Sequence, residues 1–215
     1  MEKKVKRLLW FVLGVVINSF GIALTTKAAM GTSPISSVPY VLSLWLPLSL
    51  GQFTFIVNMF FILAQIPLLR KEYQPVQLLQ IGVNVVFSLF IDVSMSLLEG
   101  FTPSNPLISL LAVVAGCATL GLGISIEVAA DMLLVPGEGV VKAINHRVGG
   151  RFGTVKVMFD LSCVILATLV SVCSMGGIRG LGVGTLVSAL IVGRFVNLYN
   201  KRLPLIPHVA GLKEE

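Results

Sequence analysis

Charge is scarce in this sequence. Aspartate, glutamate, lysine and arginine make up 12% of its 215 residues, about half the share in a soluble domain. A chain so poor in charge, 55% hydrophobic and with a mean hydropathy of +0.94, reads as a multi-pass membrane protein. Histidine is nearly missing too: His146 and His208 are the two, and neither lies in an apolar run. No HExxH, GxSxG or GxxxxGK[ST] occurs, so zinc-protease, serine-hydrolase and phosphate-cradling chemistry have no carrier. Gly31-Thr32-Ser33 begins like a nucleophile motif, but Pro34 follows it. An enzyme is not expected, and no cofactor or metal site is read. The three cysteines, Cys117, Cys163 and Cys173, are odd in number and form no CxxC. They read as free thiols acting as small apolar residues.

The few charges are placed with order. The net charge of +6 does not form a basic patch with interleaved aromatics, so a nucleic-acid partner is not expected. Basic residues sit instead at the ends of apolar runs. The start, MEKKVKR, is followed by an apolar run without a small-residue cleavage site, which fits a first transmembrane helix better than a cleaved signal. A spanning helix needs about 20 apolar residues. Six stretches qualify: 8–26, 52–69, 78–98, 106–128, 152–175 and 181–199. Residues 34–48 are apolar but too short to cross, and read as a half-helix. Lys3, Lys4, Lys6 and Arg7, then Arg70 and Lys71, then Lys142, Arg147 and Arg151, then Lys201 and Arg202 all fall on one side of a six-span chain. The positive-inside rule makes that side, with both termini, cytoplasmic. The tail from Lys201 reads as polar and mobile.

Two broken segments organise the chain. One is GIALTTKAAMGTSPISSVPYV, from Gly21 to Val41, where a helix is expected to start with Ser33 as N-cap and Pro34 in the first position. The other is GISIEVAADMLLVPGEGVV, from Gly123 to Val141. Residues 14–92 laid on residues 116–194, an offset of 102, match Gly14 with Gly116, Gly21 with Gly123, Gly51 with Gly153, Gly82 with Gly184, Pro34 with Pro136 and Met30 with Met132. The apolar segments coincide in phase. Three spans per copy is an odd number, so the second copy enters from the opposite side, the inverted-topology arrangement of many transporters. The expected fold is therefore an all-α membrane protein of six transmembrane helices plus two short re-entrant or half-helices. Its two inverted repeats cover residues 1–103 and 104–200, with a cytoplasmic tail at 201–215. A duplicated scaffold without transport activity remains the alternative.

The blocks GIALTTKAAMGTSPISSVPYVLS, SLGQFTFIVN and PGEGVVKAI, spread over nearly the whole chain, resemble the YczE/YyaS/YitT family of bacterial integral membrane proteins. That family has no defined biochemical activity, although transport has been suggested. The resemblance implies a protein of the bacterial cytoplasmic membrane. It implies no substrate and supplies no functional residues.

Candidate solute-binding residues come from the breaks and from polar groups inside spans. The helix start near Pro34 offers unpaired N–H groups and the positive end of a helix dipole. Thr32, Ser33 and Ser36, with Ser37 beside them, add hydroxyls at the same end, together suited to an anionic group such as a carboxylate; alternatively they only cap and pack. Thr25 and Thr26 are further candidates for the solute. In the second copy Thr25 corresponds to Glu127, Ala29 to Asp131 and Ser36 to Glu138. Glu127 and Asp131 share one helical face if the helix persists. Three carboxylates there suit a cation, an amine or a proton, whereas Glu138 by itself could simply favour a helix N-terminus. Lys156 and Asp160 are four apart inside a span, and Asp160 corresponds to Asn58. Intramembrane ionisable residues are candidates for function by default, with a structural ion pair as the alternative. Arg194 is expected to snorkel to the cytoplasmic surface. Gly176, Gly180 and Gly184 give overlapping GxxxG spacings that allow close helix approach within the chain or in a homo-oligomer.

The expected function is transport of a small polar solute, a zwitterion or an organic anion, with the lipid bilayer and that solute as partners. The alternatives are a substrate-binding membrane subunit of a larger transport complex and a non-transport accessory or assembly protein.

Overall fold

A computed structural model describes residues 2–149 and 152–212. Arg151, expected in the basic junction between the fourth and fifth spans, lies outside the described residues. The described chain contains helices and no strand: α1 (Glu2–Lys27), α2 (Ser37–Trp45), α3 (Leu50–Leu69), α4 (Gln80–Leu97), α5 (Pro106–Ala130), α6 (Pro136–Val148), α7 (Phe152–Met175), α8 (Val183–Arg202) and α9 (Leu205–Ala210). Six of them, α1, α3, α4, α5, α7 and α8, are long and apolar enough to cross a bilayer. They coincide with the six expected spans. Their ends differ by a few residues, α1 starting earlier, α5 and α8 ending later and α4 lying inside its window, because an apolar window does not mark the helix limit. At about 1.5 Å per residue, the nine residues of α2 and thirteen of α6 fall short of the ~30 Å hydrocarbon core.

The molecule is built on the crossing of α1 and α5. A methyl added at Gly14 would lie 3.0 Å from the carbonyl of Gly123, and one at Gly116 would lie 3.1 Å from the carbonyl of Gly21. Low numbers on α1 thus meet high numbers on α5, so the two helices run antiparallel. The pairs are also reciprocal: shifting each partner by 102 turns Gly14/Gly123 into Gly116/Gly21. A self-complementary contact of this kind is what a two-fold axis generates. The crossing is close because glycine lets the backbones touch, and without a hydrophobic drive between helices in lipid such contact holds them together.

The remaining helices repeat this pairing in part. α4 packs on α1, and α8 packs on α5; α6 packs on α3, and α2 packs on α7. The pattern breaks at one place. α3 packs along α4, whereas α7 does not pack along α8. Side chains explain the difference. Asn58 Nδ2 donates to Asn84 Oδ1 at 2.8 Å, Asn84 Nδ2 donates to the carbonyl of Phe55 at 3.0 Å, and the amides of Gln65 and Gln80 bond each other reciprocally at 3.1 Å. The positions 102 residues on are Asp160, Leu186, Ala167 and Gly182, which cannot form these clasps.

The first break is fastened to the start of α8. Gly31 adopts a positive φ of 116°, which a side chain would strain. The amide of Gly184 donates to the carbonyl of Met30 at 2.7 Å, the amide of Thr32 to Thr185 Oγ1 at 3.2 Å, and Ser188 Oγ to the carbonyl of Thr32 at 3.3 Å. Gly180 faces Tyr40 and Leu44, and Gly184 faces Met30, so these two members of the GxxxG series serve approaches within the chain.

Two expectations are corrected here. α2 starts at Ser37, not at Ser33–Pro34. Pro39 has no N–H to give the carbonyl of Ile35, which breaks the ladder of any helix begun at Pro34; the amide of Ser37 bonds Pro34 three residues back, and the first i→i−4 bond formed is Tyr40 to Ser36, at 2.9 Å. Residues 34–36 instead form a turn in which Ser33 Oγ accepts from the amide of Ser36 at 3.4 Å and donates to its hydroxyl at 2.8 Å. The second copy carries Val141 where Pro39 stands, and α6 starts at Pro136 as expected. The tail is also not loose: α9 buries Ile206 and Val209 in the core around α5. The segment LIPHVA places these two apolar residues three apart, on one helical face.

Candidate functional site: a charged cavity between the two breaks

A cavity of about 590 Å³ lies where the two broken segments approach. This is the size of a small-ligand pocket. The turn before α2 contributes Ser33, Pro34 and Ser36; α1 contributes Asn18; α3 contributes Thr54 and Asn58. From the second half come Glu138 of α6, Lys156 and Asp160 of α7, and Ser188, Arg194 and Asn197 of α8. Between these polar groups the wall is mostly aliphatic, with Ile22, Leu120, Ile124, Val135 and Val192 among its members.

Six of the expected binding residues therefore meet: Ser33, Ser36, Asn58, Glu138, Lys156 and Asp160. Lys156 Nζ donates to Asp160 Oδ1 at 2.7 Å. The spacing of four on α7 puts them on one face. Glu138 is the third residue of α6, where the unpaired N–H groups of the helix start favour a carboxylate. Among the described residues no ion pair engages it. The cavity's formal charges are thus two positive, Lys156 and Arg194, and two negative, Glu138 and Asp160. Asn58 is spoken for by Asn84, so it shapes the wall.

The other five expected residues lie elsewhere. Thr25 Oγ1 donates back to the carbonyl of Gly21, and Thr26 Oγ1 to that of Ile22 at 2.8 Å. The hydroxyls of Thr26 and Thr32 share a hydrogen bond of 2.7 Å. The Thr26–Thr32 bond ties the end of α1 to the break, while Thr25 is satisfied within its own helix. Glu127 is 2% exposed and accepts from Asn18 Nδ2 at 2.9 Å; Asn18 stands between it and the cavity. Asp131 does not share a helical face with Glu127, because α5 ends at Ala130 and Asp131 turns into the left-handed region at φ 46°. It is exposed, and its carbonyl and that of Ala130 accept from the guanidinium of Arg7 at 2.8–3.0 Å.

Sequence reasoning missed Asn18, Thr54 and Ser188. The signal for Asn18 was present: it is an amide inside an apolar run, as Asn58 is. Arg194 is exposed, as snorkelling requires, yet it also lines the cavity. Asp92, its counterpart in the first copy, does different work. It accepts from Ser49 Oγ at 2.5 Å and from the amide of Gly51 at 2.8 Å, closing the start of α3.

Residues 5–201 match the Family of unknown function DUF6198. The chain belongs to this family. Among curated proteins it is similar to the Uncharacterized membrane protein YczE of Bacillus subtilis (strain 168), 24% identical over 197 residues that cover 89% of this chain and 84% of the relative. It is also similar to the Uncharacterized protein YyaS of the same organism, 23% identical over 195 residues, 89% of this chain and 90% of the relative. No solved structure matches. The likeness to the YczE/YyaS family is thereby met, and the chain is a member of a family of membrane proteins without assigned activity.

Proposed function

We propose that this protein transports a small zwitterionic solute across the bacterial cytoplasmic membrane through the cavity between its two breaks. One observation carries the reading: charges of both signs, Glu138, Lys156–Asp160 and Arg194, line a single cavity among apolar spans. Charge inside a membrane is expensive and is kept for a use. A solute with an amine and an acidic group complements this set, the amine toward Glu138 and the acidic group toward Lys156 or Arg194.

The two copies, on this reading, are inverted-topology repeats, with α2 and α6 as re-entrant elements on opposite faces. The antiparallel, reciprocal glycine crossing of α1 and α5 supports it, and so does the partial repetition of helix pairing. The clustering of basic residues at one end supports placing both termini in the cytoplasm. No chemical step is proposed for the site.

Uptake into vesicles by the purified protein tests the proposal. Asp160→Asn is expected to abolish uptake with near-normal expression. The double variant Lys156→Met/Asp160→Leu restores stability if the pair is only structural. Full uptake by that double variant removes the pair from the mechanism. Uptake that requires a co-purifying nucleotide-hydrolysing partner would favour the reading as a binding subunit of a larger complex.

A further inference from the structure

The cavity has a side opening. Its wall includes Val157 of α7, Leu190 of α8 and Val128 of α5, and these residues are 61%, 67% and 48% exposed, far more than an enclosed cavity wall would leave them. Residues that both line a cavity and face outward mark its mouth. The mouth lies along the seam where α7 and α8 fail to pack. These are also the least covered spans, 17% buried in each apolar window against 50% in α1 and 44% in α5. A seam between two spanning helices faces lipid, not water.

Its position along the helices is set as well. The cavity takes residues 153–160 from the first turns of α7 and residues 188–197 from the later part of α8. The end of α8 carries Lys201 and Arg202, and α6, which leads into α7, carries Lys142 and Arg147. The mouth thus opens near the basic end of the molecule. Gly193 sits in it with nothing within 4 Å of where its Cβ would be. Inside are formal charges that sum to zero, several amides and hydroxyls, and a mostly aliphatic wall between them.

We infer that the solute is an amphiphile with a zwitterionic headgroup, and that it reaches the cavity sideways from the leaflet at the basic end, through the α7–α8 seam, with its chain left in the bilayer. This rests on the transport reading and narrows its substrate class. A headgroup entering here meets Arg194 and Lys156 with its acidic part and Glu138 with its amine. The chain passes between Val157 and Leu190, where lipid already lies. The clasped α3–α4 seam offers no equivalent path.

Two probes separate the possibilities: lysophosphatidylethanolamine, and glycerophosphoethanolamine, which is the same headgroup without a chain. Binding is read as thermal stabilisation of the purified full chain in maltoside micelles, with Gly193→Trp filling the mouth. Because that position is open, Gly193→Trp is expected to melt with the wild type when no probe is present. The chain-bearing probe should bind at least tenfold more tightly than the headgroup alone, and Gly193→Trp should weaken it at least tenfold. Should Gly193→Trp melt lower, Gly193→Leu supplies the smaller plug, and the same comparison applies. Equal binding of both probes, unaffected by either plug, overturns the sideways route while leaving transport from water intact. No binding of either probe overturns the assigned class, and vesicle uptake then judges transport separately.

Discussion

A single methyl added at Gly21 tests whether the α1–α5 crossing holds the protein together. The Cβ of Gly21→Ala would lie 2.5 Å from the backbone nitrogen of Leu120, 2.7 Å from its Cα and 2.8 Å from its Cβ. Unstrained contacts between such atoms need about 3.5–4.0 Å. The gap must open by about 1 Å, and the obstacle is backbone, which cannot rotate away as a side-chain tip could. Overpacking of this kind costs about 1–3 kcal/mol, and the backbone contact places Gly21→Ala toward the upper end. At about 2–4 °C per kcal/mol for a chain of this size, the melting temperature should fall by roughly 5–10 °C. Gly123→Ala, the matched position on α5, meets the nitrogen of Asn18 at 2.5 Å and should cost a similar amount. Gly82→Ala has open space around it and, lying inside α4, should be neutral or slightly stabilising. Thermal unfolding of purified protein, followed by tryptophan fluorescence, makes the comparison. Gly21→Ala and Gly123→Ala as stable as Gly82→Ala would refute the close crossing, and with it the reciprocal contact that supports the inverted repeat.

Two further outcomes follow from the same geometry. Asn18→Leu leaves the buried carboxyl of Glu127 without its amide donor and should cost about 1–2 kcal/mol in melting experiments; an unchanged melting temperature contradicts the Asn18–Glu127 bond. Single cysteines at Lys71 and Ser104 in a cysteine-free background, labelled from outside the cell, should react at position 104 and not at 71. Labelling confined to 71 reverses the proposed orientation.

The spans were legible because apolar length alone decides them, and the tertiary contacts that mislead propensity in soluble folds hardly alter a run of apolar residues in lipid. The glycine matches were legible too, since no other residue lets two backbones touch. What could not be read was which polar groups would find partners inside their own helix. The hydroxyls of Thr25 and Thr26 resemble those of Ser33 and Ser36 in sequence, yet a threonine within a helix can return its proton to the carbonyl four residues back, and both do. Asp131 was misplaced for a related reason: its use as a left-handed cap depends on where α5 stops. The start of α2 was recoverable, because Pro39 forbids the bond that an earlier start would need. The split between α7 and α8 was only half visible. The missing amides at positions 167, 182 and 186 are plain once the repeat is laid out, but their meaning depends on knowing that Asn58, Gln65, Gln80 and Asn84 clasp the other seam.

The central claim is that a solute binds between the two breaks. A structure of the protein with its transported solute bound tests this most directly. The expected result is density in the cavity, in contact with Ser33 or Ser36 on one side and with Glu138 and Lys156 on the other. Density confined to the shallow surface hollow beside Ser49 and Asp92, with the central cavity empty, would contradict the account.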